Sequence, residues 1–257
     1  MKKRIRKWSL RIVVTCLFIL GLLVGIALNP MLLYANKSIT GVYTICHQEP
    51  LEASFIPKLE EANALLEKSE LYDPCLKLTI CLNDGSYYPK LMQRVRGQAF
   101  GWGFQKIVVL MGKMNAKDNY LEINGYKWNL TELIAHEATH CFQFYKYGLF
   151  HSNPVANIPE WKWEGYPEYV ARKNKADLVN NIIHLIKAEK NRDNNNWIDF
   201  EDRTGTVIPY YKHWLLVQYC LDVRKMSYAG LVRDTTREAL LTQDMMDWYK
   251  QNNTGKK

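Results

Sequence analysis

His136-Glu137-Ala138-Thr139-His140 places two imidazoles and a carboxylate within five consecutive residues. Residues four apart on a helix share one face, so both histidines can reach a single metal ion. Glu137, beside the first histidine, can face a water polarised by that ion. Two imidazoles, a cation and a carboxylate proton acceptor are the minimum apparatus for metal-assisted hydrolysis. The plain alternative is two core or surface histidines that fall four apart by chance.

The spacing carries chemistry only on a helix, and the flanking residues predict one. Asn129 is a favourable N-cap, and Glu132 three residues later completes a capping box. Trp128 and Leu133 occupy the two hydrophobic-staple positions. Gly148 supplies a stop. A helix over residues 130–147 follows, with Leu130, Ile134, Ala138, Cys141 and Tyr145 as its core face.

A catalytic zinc takes three protein ligands and keeps one open position. The third is sought in Pro159-Glu160-Trp161-Lys162-Trp163-Glu164-Gly165-Tyr166-Pro167-Glu168-Tyr169. Glu164 and Glu168 are four apart and share a helix face. One can bind the metal while the other accepts a hydrogen bond from a ligating histidine. Glu160 is the fallback ligand. Pro167 is tolerated only if this helix begins near Glu164. The plain reading of all three is a solvated helix face.

The pieces His136-Glu137-x-x-His140 and Trp163-Glu164-Gly165-x-x-Glu168-Tyr169 resemble the gluzincin branch of the zinc metallopeptidases. The resemblance implies an α+β, zincin-like domain, a mixed sheet half followed by a helical half. It implies Zn2+ held by His136, His140 and Glu164, with Glu168 orienting a histidine ligand. Glu137 then takes a proton from water and passes it to the leaving amine of a peptide or protein substrate. Pro167 departs from the pattern, where a small helix-forming residue is more usual. The resemblance also implies an oxyanion donor near the start of a late helix. Tyr210 is the candidate, with Tyr211 and His213 behind it. The run Phe100-Gly101-Trp102-Gly103-Phe104, leading into 106–110, matches the sheet edge that pairs with an extended substrate in that family. An ordinary strand with glycines at a bulge is the alternative.

A basic start (Lys2, Lys3, Arg4, Arg6, Lys7) precedes 17 uncharged residues, 12–28. Such a flank sets the N-terminus in the cytoplasm and the rest outside. Residues 1–35 are read as cytoplasmic flank and transmembrane signal-anchor, and 36–257 as the catalytic domain. Cleavage of a signal peptide near Asn36, giving a secreted protein, is the alternative. The formal charge of +8 is concentrated at this end: beyond residue 35, 28 basic residues face 26 acidic ones. The excess is a topology signal, and no nucleic-acid partner is expected. Cys46, Cys75, Cys81, Cys141 and Cys220 fall in the external part, where one or two disulfides with a free thiol are expected. None has the C-x-x-C spacing of a zinc site.

Elsewhere the pattern predicts strands over 41–46 and 76–82 and helices over 55–69, 176–190, 210–223 and 233–249, with a surface loop at 191–196. Everything after Glu164 reads as helical. The expected function is a membrane-anchored zinc metallopeptidase. A non-catalytic zinc-binding or scaffold protein on a zincin-like fold is the rival, and a hydrolase of other substrates a third reading.

Overall fold

The chain lays a five-stranded sheet against one buried helix and packs a helical half on that helix's other side. A computed structural model describes residues 2–175, 177–190 and 196–253. Helix α1 (Lys2–Leu28) and a 3-10 turn at Pro30–Leu33 lead into β1 (Asn36–Thr40) and β2 (Tyr43–His47). Then come α2 (Phe55–Leu66), β3 (Leu78–Cys81), α3 (Tyr87–Arg96), β4 (Gly101–Phe104) and β5 (Ile107–Leu110). A meander of β6 (Lys113–Asn115), β7 (Tyr120–Ile123) and β8 (Tyr126–Asn129) runs directly into α4 (Leu130–Tyr147). The second half holds α5 (Glu160–Trp163), α6 (Gly165–Ala171), α7 (Leu178–Lys190), β9 (Trp197–Asp199) and β10 (Gly205–Val207). It ends with α8 (Ile208–Gln218), a π-helical turn at Tyr219–Val223, α9 (Tyr228–Arg233) and α10 (Glu238–Asn252).

The sheet order is β1-β2-β3-β5-β4, with β2, β3 and β5 parallel and the two edges antiparallel. Alternation along each strand builds two cores. Ile45, Ile80 and Val108 join the large core with α2 and α4, whereas Cys46, Cys81 and Val109 join Tyr88 and Met92 of α3 on the other face. α4 is buried continuously from Leu130 to Phe144, as a helix covered on every side must be. α2, β4 and α6 all pack on it.

The class is mixed α and β, with one apolar N-terminal helix. Its stretch Arg11–Leu28 is long and apolar enough to cross a membrane, a property that signal sequences share. Several expectations need correcting. The meander β6–β8 separates β5 from α4, and α3 occupies residues for which the pattern predicts no element. A hairpin, β9–β10, interrupts the helical half. The helix expected over 233–249 starts later, as α10 from Glu238, and a separate short helix, α9, ends at Arg233. Tyr145 faces solvent at 55% exposure rather than joining the core face of α4. All six cysteines are free thiols, not bridged. Residue 176 and loop residues 191–195 lie outside the described residues.

Candidate metal centre

The site starts from the cap of α4. Asn129 Oδ1 accepts from the Glu132 backbone N–H at 3.1 Å, and Asn129 Nδ2 donates to Asp202 Oδ2 at 3.0 Å. Only half of the expected capping box forms. The Glu132 carboxylate turns away from Asn129 to pair with Arg172, and with Lys175 Nζ at 2.5 Å. The other expected features of this helix, its cap, its staple residues and its Gly148 stop, are present.

Nearly two turns into α4, His136, Glu137 and His140 are buried together, each offering a ligating atom within 4.8 Å of the others. This group can hold a metal ion. Glu164 reaches it from the junction of α5 and α6. Its N–H donates to Glu160 O at 2.8 Å and its carbonyl accepts from Glu168 N at 3.2 Å, so the helical path continues through it. Pro167 is the third residue of α6, and the carbonyl it leaves free, Trp163 O, accepts from Gln143 Nε2 instead. Glu164 Oε2 lies 3.1 Å from His140 Nε2 and 3.5 Å from His136 Nε2. Glu160 lines the same cleft outside this group.

Each remaining ring nitrogen faces a side-chain oxygen. His136 Nδ1 lies 3.0 Å from Glu168 Oε1, and His140 Nδ1 lies 2.7 Å from Gln143 Oε1. A proton on His140 Nδ1 satisfies Gln143 Oε1, and with Nδ1 protonated on both rings their Nε2 lone pairs face Glu164 Oε2. Three electron-rich atoms then converge with nothing positive between them, the arrangement a cation completes. The same demand governs the titration. Burial opposes charge on His136, yet Glu164, Glu168 and Glu137 outweigh it and push its pKa up to about 10. Burial likewise opposes charge on Glu164, but His140 and His136 hold its carboxyl well below the usual carboxylate range.

Behind the ligands lies a buried chain of alternating charge. Glu168 Oε2 accepts from Arg172 Nε at 2.6 Å, and Arg172 also pairs with Glu132. Gln143, which holds His140, donates to Trp163 O at 3.0 Å and to Tyr228 Oη at 2.6 Å. Trp163 in turn stacks on the His140 ring, with centroids 5.7 Å apart.

Two further walls close the site. Gly165 lets α6 meet α8, since a Cβ there would stand 2.5 Å from His213 O. That contact brings Tyr210 over His136, its ring parallel within 9° at 6.0 Å. Burial, with Glu164, Glu137 and Glu168 nearby, raises the Tyr210 hydroxyl well above its usual pKa, so it stays a proton donor. Tyr211 points elsewhere, donating to Asn181 O at 3.3 Å. His213 is buried, its ring 6.3 Å from that of Tyr210, and burial lowers its pKa. On the opposite side runs β4, the edge of the sheet. A Cβ on Gly101 would stand 2.7 Å from Glu137 Cγ, so a side chain there would meet the Glu137 carboxylate. Burial raises the pKa of Glu137, opposed by His136 and His140 and by a hydrogen bond from the Gly103 N–H. The resulting cleft, of about 650 Å³, is bordered by Trp102, Trp128, Phe144, Asn157 and Trp163.

Of the residues singled out in the sequence, the structure brings His136, Glu137, His140, Glu164, Glu168 and Tyr210 to one place. Gln143, Arg172 and Trp163 were not anticipated. Gln143 and Arg172 stood in plain spacing, three after His140 and four after Glu168. No protein-family model, no curated protein and no solved structure matches this chain.

Proposed function

We propose that this chain is a zinc-dependent metallopeptidase of zincin-like plan, anchored in the membrane by α1 with its catalytic domain outside the cytoplasm. The observation that carries the reading is the convergence of His136 Nε2, His140 Nε2 and Glu164 Oε2, with Glu137 next to them under an open sheet edge. Two imidazoles and one carboxylate are a donor set suited to zinc with a position left for reactants. Zinc, when bound, supplies a Lewis acid that polarises a carbonyl and lowers the pKa of water.

The chain's own residues do the rest. Glu137 accepts the proton of the attacking water and returns it to the departing amine; burial favours its protonated form and so eases the uptake. Tyr210, protonated, donates a hydrogen bond to the oxyanion. β4 offers its outer edge to an extended peptide, which pairs as an added strand. The basic flank of α1 favours a cytoplasmic N-terminus.

The test is metal content together with turnover. The purified chain in detergent is expected to carry about one zinc per molecule, as a three-ligand site predicts. It is expected to cut a mixed-sequence peptide, to stop on chelation and to recover with zinc. Glu164→Ala is expected to lose the metal. A folded, zinc-loaded chain that cuts no peptide favours the non-catalytic rival, and a folded chain that takes up no zinc ends the peptidase reading.

A further inference from the structure

The end of α1 is built into the folded domain. Tyr88 Oη donates to Ala27 O at 2.6 Å, Ser86 Oγ to Leu33 O at 2.8 Å and Tyr34 Oη to Leu82 O at 2.8 Å. Ala27, Leu33 and Tyr34 pack on the buried cluster of Cys46, Cys81, Tyr88 and Met92, and Pro30 is buried between them in sequence. Cleavage near residue 35 would strip this cover. The contacts also fix the domain's orientation on a helix able to cross a bilayer.

Large apolar side chains face outward around the point where α1 meets the domain. Leu32 is 71% exposed and Phe150 76%, with Met31, Tyr145 and Leu149 beside them. Met31, Tyr145 and Leu149 line one pocket together with Leu28 and Lys106. This rim adjoins the metal centre. Phe144 lines both that pocket and the catalytic cleft. Tyr145 follows His140 by five residues, about 8 Å along the helix axis. β4 makes the same passage, from Gly101 against Glu137 to Gln105 and Lys106 at the pocket.

We infer that this rim rests on the lipid surface around α1, and that the cleft acts on polypeptide segments lying against the membrane, the juxtamembrane stretches of anchored chains. Lipid is the occupant because α1 brings the bilayer to this face; exposed Lys106 and Lys146 suit anionic headgroups. An extended chain rises about 3.3 Å per residue, so roughly three to five residues connect the cleft to the lipid. The substrate class rests on the peptidase reading, whereas the lipid seating does not.

The test uses the full chain with Cys16→Ser and Cys75→Ser, which remove its exposed thiols. A fluorophore is attached through Phe150→Cys or, as control, through Leu240→Cys on α10. The protein is reconstituted in phosphatidylcholine–phosphatidylglycerol vesicles containing spin-labelled lipid. Quenching severalfold stronger at 150 than at 240 is expected. Equal quenching, or self-quenching between copies in place of quenching by lipid, overturns the seating. A mixed-sequence peptide is then tethered to lipid through spacers of increasing length in the same vesicles. Cleavage about tenfold faster at spacers of roughly five residues than at roughly thirty is expected from that reach. A rate independent of spacer length overturns the substrate class. Quenching at 150 with no peptide cut, tethered or free, overturns the peptidase reading and the substrate class with it, and supports the seating alone.

Discussion

A Cβ on Gly103 would stand 2.0 Å from the carbonyl oxygen of Glu137, so strand β4 and helix α4 meet main chain to main chain. At Gly101 the same strand meets only the Glu137 side chain, its Cγ at 2.7 Å. The two glycines are therefore expected to fail differently. Gly103→Ala has backbone in its way and must push the strand off the helix, costing about 1–3 kcal/mol. Gly101→Ala can displace the Glu137 carboxylate instead, keeping the fold and losing turnover. Thermal unfolding read beside kcat separates the two; a Gly103→Ala protein as stable as the parent contradicts the close approach.

Glu137→Gln is expected to keep the metal and lose about 10²–10⁴-fold in kcat, the usual contribution of a positioned proton carrier. Tyr210→Phe removes one oxyanion donor and is expected to lose about 10²–10³-fold, again with the metal retained. Undiminished turnover in either variant removes that residue from the chemistry.

Gln143→Leu leaves His140 Nδ1 without its oxygen, and the ring free to turn. Metal affinity is expected to fall about ten- to a hundredfold. Competition with a chromophoric chelator measures it. Unchanged affinity would mean that stacking on Trp163 alone aligns the ring.

Asp202 supports the start of α4 through Asn129 and accepts from Thr204 N–H and Oγ1 at 3.0 and 2.6 Å. Burial works against its charge, but the hydrogen bonds from Thr204 and Asn129 prevail and lower its pKa. With the folded value below the unfolded one, the carboxylate stabilises the fold above the ordinary aspartate range. That stabilisation fades as pH falls through the folded value. Asp202→Asn is expected to cost about 1 kcal/mol at neutral pH, modest because the group is half exposed, and nothing in strong acid. Melting temperatures of both proteins across pH give the answer; a constant gap between the curves contradicts it.

What the sequence made legible was local. The N-cap, the Gly148 stop and the i, i+4 pairs His136–His140 and Glu164–Glu168 are fixed by helical geometry, which needs no knowledge of neighbours. The first turn of α6 was legible for the same reason, through Pro167. Strands of three and four residues, as in β6–β10, show too little alternation to be read. Glu132 shows the limit at a single residue. Its spacing from Asn129 predicts a capping box, yet Arg172, forty residues later, claims its carboxylate. The roles of Gly101 and Gly103 likewise depend on a helix that begins some thirty residues beyond them.

The buried run His136–Glu168–Arg172–Glu132 also restricts how this protein can drift. Arg172 is 1% exposed, with a carboxylate on either side. Its loss alone leaves the wholly buried Glu168 with only His136 beside it and Glu132 with only Lys175, a penalty on the order of 3–5 kcal/mol. Neutralising Glu168 together with Arg172 removes much of that penalty, so the two substitutions are strongly epistatic. Descendants of this sequence are expected to keep these positions as a block or to exchange them in pairs, never through a lone change at Arg172. Ancestry at the helix cap is in this way tied to ancestry at the candidate metal ligand.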